Sequence, residues 1–342
     1  MLAAAVTTAY AQEKKPLVSP IKFSGYIISR YTASFQEDNE SNGFSIRLIR
    51  MTATGRVFND FEWKIQGQLS GNGSTVNTSP RIVDCSLEWT KFKAFKVKFG
   101  QFKLPFTIEN PEHPIDIGFL GGGTVIQKLS GFGDRTGQYN GNGRDIGIQV
   151  QGDLLPNAEG RRLFHYQAGI FNGQGINTGD ANQQKDYVGG FWVAPIAGLR
   201  IGAFGWTGNY SQKGATVKKN RYAFSAEYDH NDWVARTEYV HGQGEAFKNS
   251  ETAEINEAIG DKADGWYALL SVPVIKNKCH IRGRYDVYRQ SGEWNDAQNV
   301  YEIEANYMFT KNLTFALEYA LTDKRNLDKD YSTIEARASV RF

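Results

Sequence analysis

The chain has 342 residues, of which 39 are Lys or Arg and 37 are Asp or Glu, so the formal net charge is +2. Gly (36) and aromatic residues (13%) are abundant and Pro (9) is scarce, a composition that favours strands and tight turns over disorder. No apolar run approaches the roughly 20 residues of a spanning helix, and no long basic block is present. A helical membrane protein and a dedicated nucleic-acid binder are therefore excluded, and we expect no nucleic-acid partner.

The N-terminus carries the features of a processed leader. Residues 2–11 read LAAAVTTAYA and end in Ala9-Tyr10-Ala11, the small-x-small pattern of a signal-peptidase site. We predict that residues 1–11 are a signal peptide and that residues 12–342 form one mature domain. The basic start of such a peptide is missing, so we interpret Met1 as a start placed inside a longer leader. An ordinary apolar helical turn is the alternative.

Alternation of apolar and polar residues is the strongest pattern after the leader, and it indicates half-buried strands. It begins at Ile21 and continues to the final Phe342. With weaker stretches near 188, 200, 234, 267 and 281, the pattern gives 16 candidate strands, an even number. The clearest examples are 21–35, 49–57, 61–69, 83–90, 95–99, 146–150, 164–170, 222–228, 301–309, 313–319 and 334–342.

The connections between these strands alternate between short turns and long polar loops. Short turns include 59–60, 231–232 and 310–312, and long connections include 36–43, 72–80, 174–186, 242–264 and 323–330. This alternation is typical of outer-membrane barrels, which must close because lipid offers no hydrogen-bond partners. A soluble sandwich would share the period of two, but the hairpin-like turns do not suggest its crossing connections. We predict an all-β fold, a transmembrane antiparallel β-barrel of 16 strands, in the bacterial outer membrane and in contact with its lipids.

Strand parity assigns the charged residues to the lumen of that barrel. Mixed rows of charge in a water-filled pore orient solutes and set ion selectivity. The alternative is that these charges only neutralise one another in ion pairs. The predicted basic lining is Lys22, Arg30, Arg50, Arg56, Lys64, Lys96, Lys98, Arg282, Arg284 and Arg337, and the predicted acidic lining is Glu62, Asp84, Glu238, Asp286, Glu302 and Glu304.

Residues 105–143 are rich in Gly and poor in alternation, and a loop of this length normally has a function. We predict that it folds into the barrel and constricts the pore. An external loop that seals the mouth is the alternative. The candidate constriction residues are Glu109, Glu112, Asp116, Lys128 and Arg135.

Several motifs resemble the phosphate-selective porins O and P. They are GQFKLPF at 100–106 followed by Glu109, RDIG at 144–147 with Gly152, YQAGIFNG at 166–173, Asp84 before Cys85, RYD at 284–286, and Phe342. The resemblance implies a trimeric 16-stranded barrel that passes anions past a folded-in third loop. Residues 115–123 bring no arginines where phosphate-selective members place them, so general anion or small-solute diffusion is the firmer implication, with phosphate-type anions left open. The final strand also resembles the one that barrel-assembly machinery recognises, through Phe342.

Enzyme signatures are missing from the sequence. The five histidines are scattered, without H-E-x-x-H or G-x-S-x-G, and the EF-hand-like run from Asp38 has Ile49 at its twelfth position. Cys85 and Cys279 lack C-x-x-C spacing, and whether they pair stays open. We expect no catalytic residue, metal or cofactor, and predict a passive porin that leans toward anions. A structural or adhesive barrel, with 251–264 as a partner-binding loop, and a barrel hydrolase are the alternatives.

Overall fold

A computed structural model describes residues 17–70, 80–119, 121–137, 141–326 and 329–342, so the predicted signal peptide lies outside the described residues. Within these ranges, sixteen strands and two short helices follow one another. Single 3₁₀ turns lie at 257–259 and 294–296. The elements are β1 (Lys22–Ser34), β2 (Ser41–Val57), β3 (Phe61–Gln68), β4 (Arg81–Phe92), β5 (Phe95–Lys103), α1 (Pro114–Ile117), α2 (Thr124–Leu129), β6 (Arg144–Pro156), β7 (Arg162–Phe171), β8 (Asp186–Val193), β9 (Leu199–Gln212), β10 (Ala215–His230), β11 (Trp233–Gln243), β12 (Lys262–Ile275), β13 (Cys279–Arg289), β14 (Ala297–Thr310), β15 (Leu313–Lys324) and β16 (Lys329–Arg341).

The strands form one closed antiparallel barrel in which each strand pairs with its neighbours in sequence. Closure comes from β1 and β16, whose register runs from Tyr26 opposite Arg341 to Ser34 opposite Thr333. Beyond it, Phe342 exchanges two backbone hydrogen bonds with Gly25, at 2.8 and 3.0 Å. Each of the described strands is paired on both sides, so the predicted 16-stranded barrel is confirmed.

The two ends of the barrel differ in the length of their connections. At one end the strands are joined by tight turns such as Asn231-Asp232, whose positive φ angles of 52° and 73° suit the twist of a hairpin. The opposite end carries the long connections, including 104–143 and 244–261. By the rule for outer-membrane barrels the tight turns face the periplasm. One connection at the long-loop end is an exception, because Lys213 and Gly214 alone join β9 to β10.

Side-chain exposure follows the parity of the strands. Large apolar residues cover the outer wall, where Phe99 is 63% and Leu317 is 58% exposed, while Glu238 and Glu304 inside the barrel are fully buried. This inverts the arrangement of a soluble domain and matches a wall that faces hydrocarbon. Among the described residues, no helix is long and apolar enough to span a membrane.

The larger of two buried apolar clusters among the described residues lies inside the barrel and not between two sheets. Its loop side is built from residues of the segment after β5, including Phe106, Val125 and Leu129, and its wall side includes Trp206 and Tyr267. The segment between β5 and β6 therefore supplies the loop side of the apolar core inside the barrel.

Candidate pore and constriction

The segment 104–143 folds back into the lumen from a narrow neck. The Leu104 N–H donates to the Gly143 carbonyl at 2.9 Å, and the Asn110 side-chain amide donates to the Leu104 carbonyl at 3.0 Å. Gly143 has φ +63°, and a Cβ there would lie 2.0 Å from Asn110 Oδ1, so both the backbone and the neighbour require glycine. The neck fixes the direction in which the loop enters the barrel, and we call this segment the inner loop.

The part of the barrel wall formed by β10–β16 is called the far wall. Its carboxylates accept hydrogen bonds from backbone N–H groups of the inner loop. Glu238 accepts from Ile108 at 2.7 Å and from Glu109 at 3.0 Å, and Glu304 accepts from Phe119 at 2.9 Å. Asp286 accepts from the Thr124 N–H. Each of these acids accepts a hydrogen bond from the loop backbone, and it therefore anchors the loop to the wall.

Arginines of the same wall bind loop carbonyl groups. Arg221 donates to the Leu129 carbonyl at 2.8 Å and forms a bidentate pair with Asp134 at 2.6 Å. Arg284 donates to the Gly121 carbonyl at 2.9 Å. Charge-assisted hydrogen bonds in a buried setting are among the stronger polar contacts, so the loop is held against β10–β16.

Open space remains between the inner loop and β1–β6. Two adjoining cavities of about 190 and 160 Å³ lie there, and Lys103 lines both. The only acids among the described lining residues are Asp84 and Glu112. The cationic lining residues are Arg30, Arg47, Arg50, Lys64, Lys98, Lys103 and Arg144. We call this set of seven the basic wall.

Several members of the basic wall form no ion pair with a carboxylate of the described residues. Arg50 donates to Gln68 Oε1 at 2.9 Å and to Tyr26 OH at 3.1 Å, both neutral groups. Within the described structure, Arg47 Nη1 and Asn142 Nδ2 are buried donors that bind no acceptor. Buried donors normally have a partner, so this surplus favours an anion in the cavity.

Asp84 forms ion pairs with two members of the basic wall. Lys64 Nζ lies 2.7 Å from one carboxylate oxygen and Arg144 Nε lies 2.6 Å from the other. One acid between two cations leaves a net positive charge.

The inner loop brings one titratable acid to the cavity at neutral pH. Burial raises the pKa of Glu112 to about 7, although the neighbouring Arg236 guanidinium opposes that rise. Burial also lowers the pKa of His113 to about 4, so this imidazole is neutral at pH 7. The negative charge beside the basic wall therefore depends on pH near neutrality.

The other predicted lining residues, together with Arg30 and Lys98 of the basic wall, form ion pairs or are exposed. Arg30 binds Glu335 at 3.1 Å, Lys96 binds Asp153 at 3.2 Å, Lys98 lies 3.9 Å from Glu88, Arg282 binds Glu304 at 3.1 Å, Arg284 binds Glu302 at 2.8 Å, Arg337 binds Glu335 at 3.1 Å, Arg56 pairs with Glu62, Asp116 pairs with Arg341, and Lys22 and Lys128 are exposed. Arg135 points out of the inner loop and donates to the carbonyl groups of Ile259, Gly260 and Gln290.

Strand parity does not predict Arg47, Lys103 or Arg144 as lining residues. Arg47 lies in a β-bulge, since Ile28 pairs with Leu48 and Ser29 with Ile46, and the extra residue turns inward against the alternation. Lys103 and Arg144 pair with each other at the base of the inner loop. Alternation no longer assigns a side where a strand leaves the wall, although the RDIG motif does begin at Arg144.

Comparison with protein families supplies the identification. The family described as phosphate-selective porin O and P matches residues 26–256. The chain belongs to this family. It is therefore a porin of the bacterial outer membrane, and the predicted family and location are confirmed. No curated protein matches the sequence.

The fold of this porin recurs in solved structures at low sequence identity. An anion-selective porin from Comamonas acidovorans has TM-score 0.68 and 11% identity, with 95% of this chain and 100% of that chain covered. The trimer form of OmpT from Vibrio cholerae has TM-score 0.65 and 13% identity, with 95% and 99% covered. The channel DcaP of Acinetobacter baumannii has TM-score 0.65 and 12% identity, with 95% and 97% covered.

Proposed function

We propose that this porin lets small hydrophilic solutes diffuse passively and favours anions at its constriction. The basic wall carries the proposal, because its seven basic residues line cavities that the inner loop narrows and three of them, Arg47, Arg50 and Lys103, form no ion pair with a described carboxylate. A narrow passage with walls of low dielectric concentrates ions of opposite charge. The anion-selective porin with a similar fold supports this preference without deciding it.

Swelling of proteoliposomes tests passive diffusion. Liposomes with the porin should swell in isosmotic arabinose, and an anionic solute of similar size should enter faster than a cationic one. If the neutral sugar enters but the anionic and cationic solutes enter at equal rates, the pore is supported and its anion preference is rejected. Absence of swelling would reject both.

We further propose that the passage does not select phosphate over other small anions. The loop residues that face the larger cavity include Pro114, Ile117, Gly122 and Gln127, which carry no charge. All seven cations therefore come from the barrel wall, and a ligand would be held from one side only. Phosphate and sulfate should inhibit chloride current to the same extent, and a tenfold stronger effect of phosphate would contradict this.

The channel is proposed to act as a homotrimer and without catalysis. The trimer form of OmpT, which shares the fold, supports the oligomeric state. Chemical crosslinking in outer membranes should give a trimer band, and a monomer band alone would reject it. Purified protein should not hydrolyse phospholipid, and lipid turnover that follows the protein through every purification step would favour a barrel hydrolase.

The processing and assembly of the chain are proposals as well. A mature chain that begins near Gln12 would be recognised by N-terminal sequencing of the membrane form. Recognition by the barrel-assembly machinery through Phe342 predicts that a Phe342 deletion lowers the amount of folded barrel in the outer membrane.

A further inference from the structure

A long apolar groove crosses the outer wall of the barrel beside the closure between β1 and β16. Its volume is about 710 Å³ and its lining is almost entirely apolar. Small outward residues form the floor, namely Ser29, Ala305, Ala336 and Ala338. Larger side chains, among them Phe44 and Leu317, form its sides and are 87% and 58% exposed.

The groove follows a row of directly paired residues across six strands. The row is Ile46, Ser29, Ala338, Phe315, Tyr307 and Cys279. Five steps of about 4.8 Å between neighbouring strands give a length of about 24 Å. One leaflet spans about half of a hydrocarbon core of ~30 Å, so the groove can take a whole acyl chain along its length.

The row descends toward the tight-turn end of the barrel. Ile46 lies near the start of β2, at the long-loop end, whereas Cys279 is the first residue of β13, directly after the turn 276–278. The groove therefore reaches the level of the lipid headgroups at the periplasmic surface, beside Cys279.

Two exposed lysines stand at this lower end. Lys278 precedes Cys279, and its carbonyl accepts a hydrogen bond from the Met308 N–H at 2.7 Å, which holds its turn against the turn that contains Lys311. Both side chains are exposed, and neither forms an ion pair with a described residue. Lysines beside a membrane surface attract anionic headgroups by about 1 kcal/mol each, and the groove next to them accepts a hydrocarbon chain.

We propose that this surface binds an anionic phospholipid of the periplasmic leaflet. The headgroup phosphate lies between Lys278 and Lys311, and one acyl chain follows the row from Cys279 toward Ile46. The inference rests on the location of the porin in the outer membrane and not on its anion preference. Apolar shape alone would admit any neighbour, and the two cations at the headgroup level decide in favour of an anionic lipid.

Native mass spectrometry of the detergent-purified porin tests the proposal. The porin should retain dioleoyl-phosphatidylglycerol at lower lipid concentrations than it needs to retain dioleoyl-phosphatidylethanolamine. The double variant K278Q/K311Q should bind phosphatidylglycerol about thirtyfold more weakly. The matched control is K91Q/K93Q, which neutralises two exposed lysines around another tight turn and should leave binding unchanged.

A second variant fills the groove without touching charge. Ala338→Phe should reduce retention of both lipids, whereas Ala203→Phe, on the outward face of β9, should not. Equal retention of the two lipids by the wild-type porin would overturn the proposal, as would a K278Q/K311Q variant that behaves like its control. A change of oligomeric state in Ala338→Phe with unchanged lipid binding would assign the groove to a contact between copies instead. Conductance of the same preparations should stay at the wild-type level, which separates failure of this site from failure of the pore.

Discussion

At the scale of single residues, a wall charge has different consequences according to what lies beside it. Lys98 lines the smaller cavity, while Lys96, two residues earlier on the same face of β5, lies outside both cavities and is paired with Asp153 at 3.2 Å. Arg47 and Lys103 face the larger cavity without a carboxylate partner among the described residues. Whether a charge meets a solute therefore depends on the side of the strand that carries the residue and on the distance of the residue from the inner loop.

Charge reversal at these two lysines separates the two environments. Lys98→Glu should lower the anion-to-cation permeability ratio by about threefold or more, because a unit charge about 6 Å from a passing ion changes its energy by ~0.7 kcal/mol even in water. Lys96→Glu is the matched control and should shift the ratio much less. Reversal potentials in a KCl gradient measure both. Equal shifts would place Lys96 on the conduction path as well.

Glu112 makes the preference depend on pH. Its raised pKa of about 7 means that the carboxylate is charged at pH 8 and largely neutral at pH 6. Losing a negative charge beside the basic wall should raise the anion preference as the pH falls through 7. Glu112→Gln should show the higher preference at both pH values. A wild-type ratio that stays constant from pH 8 to pH 6 would show that this carboxyl does not titrate there.

At the scale of elements, both polar and apolar contacts join the inner loop to the far wall. The acids Glu238, Asp286 and Glu304 hold loop N–H groups, and Arg221 and Arg284 hold loop carbonyl groups. Between these contacts the apolar side chains of the loop pack on the wall. The two cavities that the basic wall lines lie on the β1–β6 side of the inner loop.

Loss of one anchor should loosen the loop without opening the barrel. Glu238 accepts two backbone N–H groups, the Ser225 hydroxyl and, at 2.9 Å, the Tyr267 hydroxyl, so Glu238→Ala would leave four donors unsatisfied at a cost of several kcal/mol. We expect larger and noisier single-channel conductance with the heat-resistant barrel retained. Glu251→Ala, in an exposed loop, is the control. Conductance as steady as that of the control would contradict an anchoring role.

Barrel closure gives a prediction about stability. A Cβ on Gly25 would lie 2.6 Å from the Phe342 ring and 2.6 Å from the Arg50 carbonyl oxygen. Gly25→Val should therefore disturb the pairing of β1 with the C-terminus and lower the temperature at which the folded barrel unfolds on gels. Gly67→Val is the control, because no atom lies within 4 Å of a Cβ there. Equal unfolding temperatures would show that the closure tolerates a side chain.

At the scale of the whole molecule, alternation along the sequence predicted the wall correctly because a closed sheet between lipid and water imposes it on every strand. The same rule could not place the anchors, since Ile108 and Glu238 are 130 residues apart and meet only once the barrel closes. Local irregularities also escaped it. The bulge at Arg47 reverses parity, and the two-residue connection Lys213-Gly214 breaks the expected order of long and short loops.

The basic wall as the determinant of selectivity is the central claim, and the reversal potential of the wild-type porin tests it most directly. The measurement uses single channels in a planar bilayer with a KCl gradient, together with the variant Arg47→Gln/Lys103→Gln and, as control, the outward-facing Lys218→Gln. We predict a wild-type reversal potential on the anion side, a smaller one in the double variant and an unchanged one in the control. A wild-type potential on the cation side, or a double variant equal to the control, would contradict the account.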